Sequence, residues 1–253
     1  MSLAAHWEFI SNARWFSGKA RNGKLGDQLV LDWYSTEVKV RSELFRVDYP
    51  DGGYEWYHLP ISYYRELNNN LGDPIWRTTD GYGYDATSDP AAMSAILQAI
   101  MASTSGKDFS CHSENPIFQS NDLTPRRYTG EQSNTSVFFG NSAMLKIFRK
   151  LEPGKNLDIE LHQVLSDTGS VAQLYGWIST VEFDLMMLVE SIPEPIDGYV
   201  LACQKLSNNE SFSDLAGNLG QALAEVHLKL SNSLGSDVAN GAQLGKQFIS
   251  HAQ

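Results

Sequence analysis

Lys146 is the residue with the clearest capacity for chemistry. It interrupts the apolar run Met144-Leu-Lys-Ile-Phe148. An unpaired ammonium is costly to bury, so a lysine in such a strand must send its charge to water or to an anion. Glu160 follows one short loop later, in a segment with helical character. A strand lysine braced by a helix glutamate can grip the oxygens of a di- or triphosphate. An ordinary exposed lysine on a strand face gives the same pattern. The loop Gly130-Glu-Gln-Ser-Asn-Thr-Ser136 leads into the strand before the lysine. Its small residues Ser133, Asn134, Thr135 and Ser136 let backbone N–H groups approach phosphate closely. The loop is neither a Walker motif nor G-x-G-x-x-G, and without the lysine downstream it reads as a polar hairpin turn. A third feature is Val189-Glu-Ser-Ile192, with Glu190 and Ile192 where an apolar strand ends before Pro193.

The elements that must position these residues read in a definite order. Residues 6–13 form a short helical stretch, and residues 29–34, 37–41, 44–49 and 54–59 are strand candidates with alternating or aromatic patterning. Pro50-Asp-Gly-Gly53 is a hairpin turn between the last two. Residues 76–90 are rich in Gly, Thr, Asp and Tyr and read as a connection. Asp89-Pro90 opens a helix over residues 91–102. Residues 104–122 read as an exposed loop. From Pro125 onward come strands at 137–139 and 143–148 around a Gly140-Asn141 turn, then a helix over 157–165 with Asn156 as N-cap. Strands at 171–179 and 183–190 follow, then a Pro193-Glu-Pro195 break and helices over 199–206 and 212–230. Ser213 is placed to cap the last helix, whose Leu215, Leu219, Leu223, Val226 and Leu230 share one face.

This order defines an α+β fold: a β-rich N-terminal cap, then a unit resembling a protein-kinase-like N-lobe, then the first helices of a C-lobe. The expected divisions are residues 1–88 for the cap, 89–124 for a linker with a helix, 125–192 for the N-lobe, and 193–253 for the hinge and C-lobe helices. In kinase-like folds, Glu190 to Ile192 would be the hinge whose backbone pairs with the adenine edge.

Composition narrows the function classes. The net charge of −11 argues against a broad basic face for nucleic acid. It does not oppose nucleotide binding, which needs one lysine and a few backbone donors, usually with Mg²⁺ sharing the charge. No apolar run approaches the roughly 20 residues that span a bilayer, and no secretory signal opens the chain. Cys111 and Cys203 lie far apart without metal-ligand or disulfide spacing, which fits a reducing cytoplasm. The six histidines show no zinc spacing. The aromatic group Tyr54, Trp56, Tyr57, Tyr63 and Tyr64 reads as packing of a small sheet, with a carbohydrate platform as the alternative.

Several segments resemble one family in order. Arg14-Trp-Phe-Ser-Gly-Lys-Ala-Arg21 looks like the R-W-F-x-G-K-x-R signature that opens actinobacterial maltokinases. Tyr57-His-Leu-Pro-Ile-Ser-Tyr63 is similar to a strand of their cap, and Glu131-Gln-Ser-Asn-Thr-Ser136 to their phosphate loop. Leu145-Lys-Ile-Phe-Arg149, Leu151-Glu-Pro-Gly154 and Asn156 resemble the L-K-x-F-R-R-L-E-P-G-x-N segment. Tyr175-Gly-Trp177, Val189-Glu190 and Asp197-Gly198 fall in the same order. The resemblance implies transfer of the ATP γ-phosphoryl to maltose, giving maltose 1-phosphate for α-glucan synthesis; docking through the cap on a partner such as trehalose synthase belongs to the alternative reading of the chain as a non-catalytic module. It also implies that Lys146 holds the α- and β-phosphates, that Glu160 orients it, and that Ser133, Asn134, Thr135 and Ser136 line the phosphate loop. The family's catalytic H-G-D-x-H-x-x-Q and metal-binding D-F-E motifs do not occur in these 253 residues. Asp108-Phe109 precedes the phosphate loop, in the wrong order for the latter. The chain by itself is therefore expected not to turn over. An aminosugar (glucosamine) kinase fragment, or a non-catalytic nucleotide-binding or partner-docking module, fits the same residues.

Overall fold

The computed structural model describes residues 3–114, 116, 118, 121–130, 133–236, 241 and 245. The chain divides into two compact units, residues 1–162 with 172–195, and residues 163–171 with 196–253.

The larger unit opens with helix α1 (Leu3–Asn12) and strands β1 (Lys24–Val30), β2 (Val40–Asp48) and β3 (Tyr54–Tyr64). A short 3₁₀ turn (Asn69–Leu71), strands β4 (Trp76–Thr78) and β5 (Gly81–Asp85) and a second 3₁₀ turn (Ala86–Ser88) follow, then helix α2 (Pro90–Met101). The chain continues through β6 (Ser110–Ser113), β7 (Pro125–Arg127), β8 (Thr135–Phe139), β9 (Ala143–Ile147) and β10 (Lys150–Leu151). Helix α3 (Leu157–Leu165) and strands β11 (Leu174–Ser179) and β12 (Asp184–Glu190) come next. Two six-stranded antiparallel sheets result. One has the order β1-β2-β3-β5-β4, with β10 also paired to β3; the other has the order β6-β11-β12-β9-β8-β7.

Local chemistry explains the element ends. Tyr49 N–H bonds the Gly53 carbonyl (2.9 Å) and Gly52 takes φ +83°, so the Pro50–Gly53 turn closes the β2–β3 hairpin. The Asp89 carboxylate accepts from Ala91 N–H (3.0 Å) and Ala92 N–H (3.3 Å), with Pro90 in the first turn of α2. Asn156 Oδ1 accepts from Asp158 N–H (2.9 Å) and starts α3.

Two apolar clusters flank the first sheet. Ile10, Trp15 and Phe16 pack with Phe45, Val47, Tyr57, Leu59 and Ile61 on one side. The second cluster joins α2 (Ile96, Ile100), the cap's Val40 and Leu44, and the second sheet's Val137, Leu145, Ile147 and Leu188. Cap and second sheet therefore share a core. The two-residue strand β10 adds a backbone seam, pairing Lys150 with Tyr57 and Leu151 with Trp56.

Several expectations change. The strand candidate at 29–34 lies earlier, as β1 (Lys24–Val30); beyond it Leu31 N–H and Tyr34 N–H still bond the Ser42 (3.1 Å) and Val40 (2.9 Å) carbonyls, while the Asp32 carboxylate accepts from Lys107 N–H (2.6 Å). The candidates at 37–41 and 44–49 merge into one strand, β2, which begins only at Val40 and ends at Asp48. The glycine-rich connection at 76–90 contains β4 and β5, where Gly83 leaves room for the Trp76 indole. The loop at 104–122 contains β6, which pairs with β11. Trp56 packs with one cluster and Tyr57 and Tyr63 with the other, while Tyr54 is 60 % exposed.

The smaller unit holds α4 (Gly198–Ser207) and α5 (Ser213–Leu234). Asp197 Oδ1 caps α4 by accepting from Val200 N–H (2.9 Å). Ser213 makes no cap: the N-cap of α5 is Phe212, which offers no side-chain acceptor. Residues 237–240, 242–244 and 246–253 of the expected C-lobe segment lie outside the described residues.

Candidate functional site

The second sheet presents one face with a chemical gradient. Along β9 the burial alternates: Ala143, Leu145 and Ile147 are buried, while Met144 and Lys146 are half-buried on the opposite side. Register extends that side across three strands. Lys146 lies opposite Ser136 on β8 and Met187 on β12. The neighbouring rung is Phe138, Met144 and Val189. A hydroxyl-and-ammonium rung thus sits beside an apolar rung, which leads to the end of β12 at Glu190. The arrangement can take an anion at one end and a flat apolar ring at the other.

Lys146 Nζ pairs with the Asp158 carboxylate on the first turn of α3. Its expected partner, Glu160, lies two residues further on. Helical rotation of about 100° per residue turns Glu160 well away from the direction of Asp158. The brace exists, but Asp158 supplies it. Asp184 helps to fix it by accepting from Asn156 N–H (2.7 Å) at the start of the helix.

The loop residues separate by face. Ser136 shares the face of Lys146. Thr135, one residue earlier, points the other way, and its hydroxyl accepts from Arg149 Nε (2.8 Å). The Thr135 side chain therefore serves the seam with the cap and does not line the Lys146 face. Asn134 is half-buried and Ser133 exposed; Glu131 and Gln132 lie outside the described residues. At the far end, Glu190 N–H bonds the Gln173 carbonyl (2.8 Å) and Ser191 N–H bonds the Ser142 carbonyl (3.2 Å). Ile192 is 58 % exposed, and its backbone N–H has no partner among the described residues.

Sequence reasoning missed the residue that organises the other face. Arg149 is fully buried. Its Nη2 donates to both oxygens of Asp85 (2.8 and 3.1 Å) and to Thr87 Oγ1 (3.3 Å), and its Nη1 to the His58 carbonyl (3.5 Å). Trp15 lies 5.1 Å from the guanidinium. His58 is buried beside it. Its Nδ1 faces the Phe148 carbonyl (3.1 Å) and its Nε2 the Ser42 hydroxyl (2.6 Å), which meets Tyr34 Oη at 2.7 Å. Burial and the Arg149 charge push the His58 pKa down to about 3. The imidazole is therefore neutral, with Nδ1–H donating to the carbonyl.

A second polar node centres on Glu55, which accepts from Tyr49 (2.5 Å), Tyr57 (2.6 Å), Lys150 (2.9 Å) and Arg21 (3.1 Å). Burial alone would raise its pKa, but the tyrosine and lysine donors outweigh that and bring it down to about 2. The 14–21 signature is thereby explained. Trp15 covers Arg149, Ser17 bonds Tyr57 Oη (3.0 Å), and Arg21 joins Glu55 while stacking over Tyr49.

Cavities lie beside this seam rather than over Lys146. One of about 600 Å³ is lined by Arg14, Trp15, Asp85 and Arg127, among others. Another of about 330 Å³ is lined by Arg14, Arg127, Gly130, Asn134 and Thr135, among others. The Lys146 side chain lines neither and is half-buried, while Ser136, Met187 and Val189 on the same face are buried. Among the described residues no three His, Cys, Asp or Glu side chains come together to hold a metal, and no helix is long and apolar enough to cross a membrane.

The molecule is thus a mixed α and β protein whose β-rich N-terminal region is bolted to a sheet bearing a braced lysine. Residues 9–89 match the family of the maltokinase N-terminal cap domain. The chain carries a maltokinase-family N-terminal portion.

Proposed function

We propose that residues 125–192 are the nucleotide-holding lobe of a maltokinase-like ATP:sugar phosphotransferase, with protein-kinase-like architecture. Lys146, braced by Asp158, takes the α- and β-phosphates, and Ser136 with the backbone of residues 133–136 completes the phosphate contacts. The apolar rung Phe138–Met144–Val189 takes the adenine face. The backbone of Glu190 to Ile192 takes its edge, with the Ile192 N–H available as donor. The match of residues 9–89 to the maltokinase cap domain supports maltose as the sugar acceptor of the complete enzyme and maltose 1-phosphate as its product. The carrying observation is the register that sets the Lys146–Ser136 rung beside an apolar rung near the end of β12, which lies two residues before the exposed Ile192. The described residues do not assemble a metal site. No Mg²⁺-dependent step follows from them, and their part in catalysis is to bind and orient a nucleotide.

Titration calorimetry of the whole chain with ATP and with ADP tests this. Saturable binding of both is expected, weakened roughly ten-fold or more by Lys146→Ala, since a charge-assisted contact to phosphate is lost. Circular dichroism should show an unchanged fold. Absence of binding, or binding indifferent to Lys146→Ala, would overturn the reading.

A further inference from the structure

We infer that Arg149 is a positioning residue for the phosphate loop, and that the cap sets it through Asp85; this rests on the nucleotide reading above. Thr135 is the first residue of β8, where the loop becomes strand. Its hydroxyl is held by Arg149 Nε on one face, while Ser136 stands beside Lys146 on the other. The two residues share a peptide plane, so fixing the Thr135 side chain fixes the direction in which Ser136 and its N–H point.

Arg149 is in turn held by three parts of the cap. Asp85 and Thr87 take Nη2, the His58 carbonyl takes Nη1, and Trp15 covers the guanidinium. Its backbone is pinned as well, since His58 N–H donates to the Arg149 carbonyl (2.8 Å). A guanidinium carries its donors in a rigid planar fork. With Nη1, Nη2 and one face of the guanidinium taken by cap groups, Nε is left aimed at the loop. Such a buried pair adds little stability over an apolar replacement, so its contribution here is geometric. Arg127 supports the same carboxylate from the loop's own strand, with Nη1 3.6 Å from Asp85 Oδ2 and 2.9 Å from Ser88 Oγ. The cap thus sets the phosphate end of the site without lining the Lys146 face.

The test separates phosphate binding from base binding. Affinities for ADP and for adenosine are measured by calorimetry on the full chain, alongside melting temperature, for Thr135→Val, Thr135→Ser and Asp85→Asn. Thr135→Val leaves the Arg149–Asp85 pair intact and removes only the hydroxyl. The expected result is ADP affinity reduced ~3–10-fold, the scale of one hydrogen bond, with adenosine affinity unchanged. Thr135→Ser should restore ADP binding, and Asp85→Asn should shift the ADP-to-adenosine ratio in the same direction as Thr135→Val. Both Thr135→Val and Asp85→Asn are expected to lower the melting temperature, because each leaves buried Arg149 short of a partner. A purely structural role would weaken both ligands together, and that outcome overturns the inference, as does an unchanged ratio in Thr135→Val. If the unmodified chain binds neither ligand, the nucleotide reading falls and this inference falls with it. An unchanged ratio in a chain that binds normally removes this inference alone.

Discussion

His58 shows how a single buried residue couples this fold to pH. Its pKa is about 3 in the folded chain against an ordinary value of 6.5. The unfolded chain therefore binds a proton over this window that the folded chain refuses. The His58 contribution is complete above pH 6.5 and is lost as pH falls toward 3, at a limiting slope of about 1.4 kcal/mol per pH unit. Glu55 adds loss lower down, because its carboxyl is held near 2 when folded and 4.5 otherwise. His58→Gln keeps one donor for Phe148 and one acceptor for Ser42 but does not titrate. Urea unfolding of this variant between pH 6.5 and 4.5 should show a shallower decline than the unmodified chain; parallel declines would refute the assignment. At this scale the sequence revealed Lys146, since a charge inside an apolar strand demands a partner. It did not reveal which carboxylate answers, because Asp158 and Glu160 are both acidic residues of one helical turn and only the start of α3 decides between them. Arg149 was hidden for a related reason. An arginine just after a strand ordinarily lies in solvent, and its acceptors Asp85 and Thr87 are more than 60 residues away in the chain.

The turns carry the tightest constraints on the elements. Gly140 joins β8 to β9 with φ +54°, and a Cβ there would lie 2.0 Å from the Asp122 carbonyl oxygen. Backbone crowds the position, so no side-chain rotation relieves it. Gly140→Ala should cost roughly 1–3 kcal/mol through left-handed strain plus displacement of the 122–124 segment. A melting temperature within a degree of the unmodified chain would show that the turn relaxes freely. Gly140-Asn141 was readable in advance because turn chemistry is local. So were α2 and α3, whose caps Asp89 and Asn156 are adjacent to the helices they start. Strands β4, β5 and β6 were not readable. Gly81 and Gly83 weaken the strand pattern, and those segments become strands by pairing: β5 on β3, β4 on β5 and β6 on β11. β10 is the extreme case: two residues with no periodicity, ordered by the seam they close.

At the scale of the whole molecule, burial is uneven between the two units, each taken by itself. In the smaller unit, Lys229 pairs with Asp167 (2.6 Å) and Ser170 donates to Glu225 (3.1 Å), which tie α5 to residues 163–171. Val226 and Leu230 are half-buried, but Leu219 is 66 % and Leu223 52 % exposed on the same stripe. The helix therefore displays an apolar face that its own unit does not cover. The net charge of −11 opposes close approach of two copies, and this repulsion is screened by salt. Self-association is consequently expected to increase from low to physiological ionic strength, as the Debye length contracts from about 30 Å at 0.01 M to about 8 Å at 0.15 M. Light scattering across that range should show rising mean mass at tens of micromolar chain. Leu219→Glu with Leu223→Glu should keep the helix, since glutamate is a good helix former, while removing the association. A monomer at every salt concentration, or association unaffected by the double substitution, would mean that the stripe is not what brings copies together.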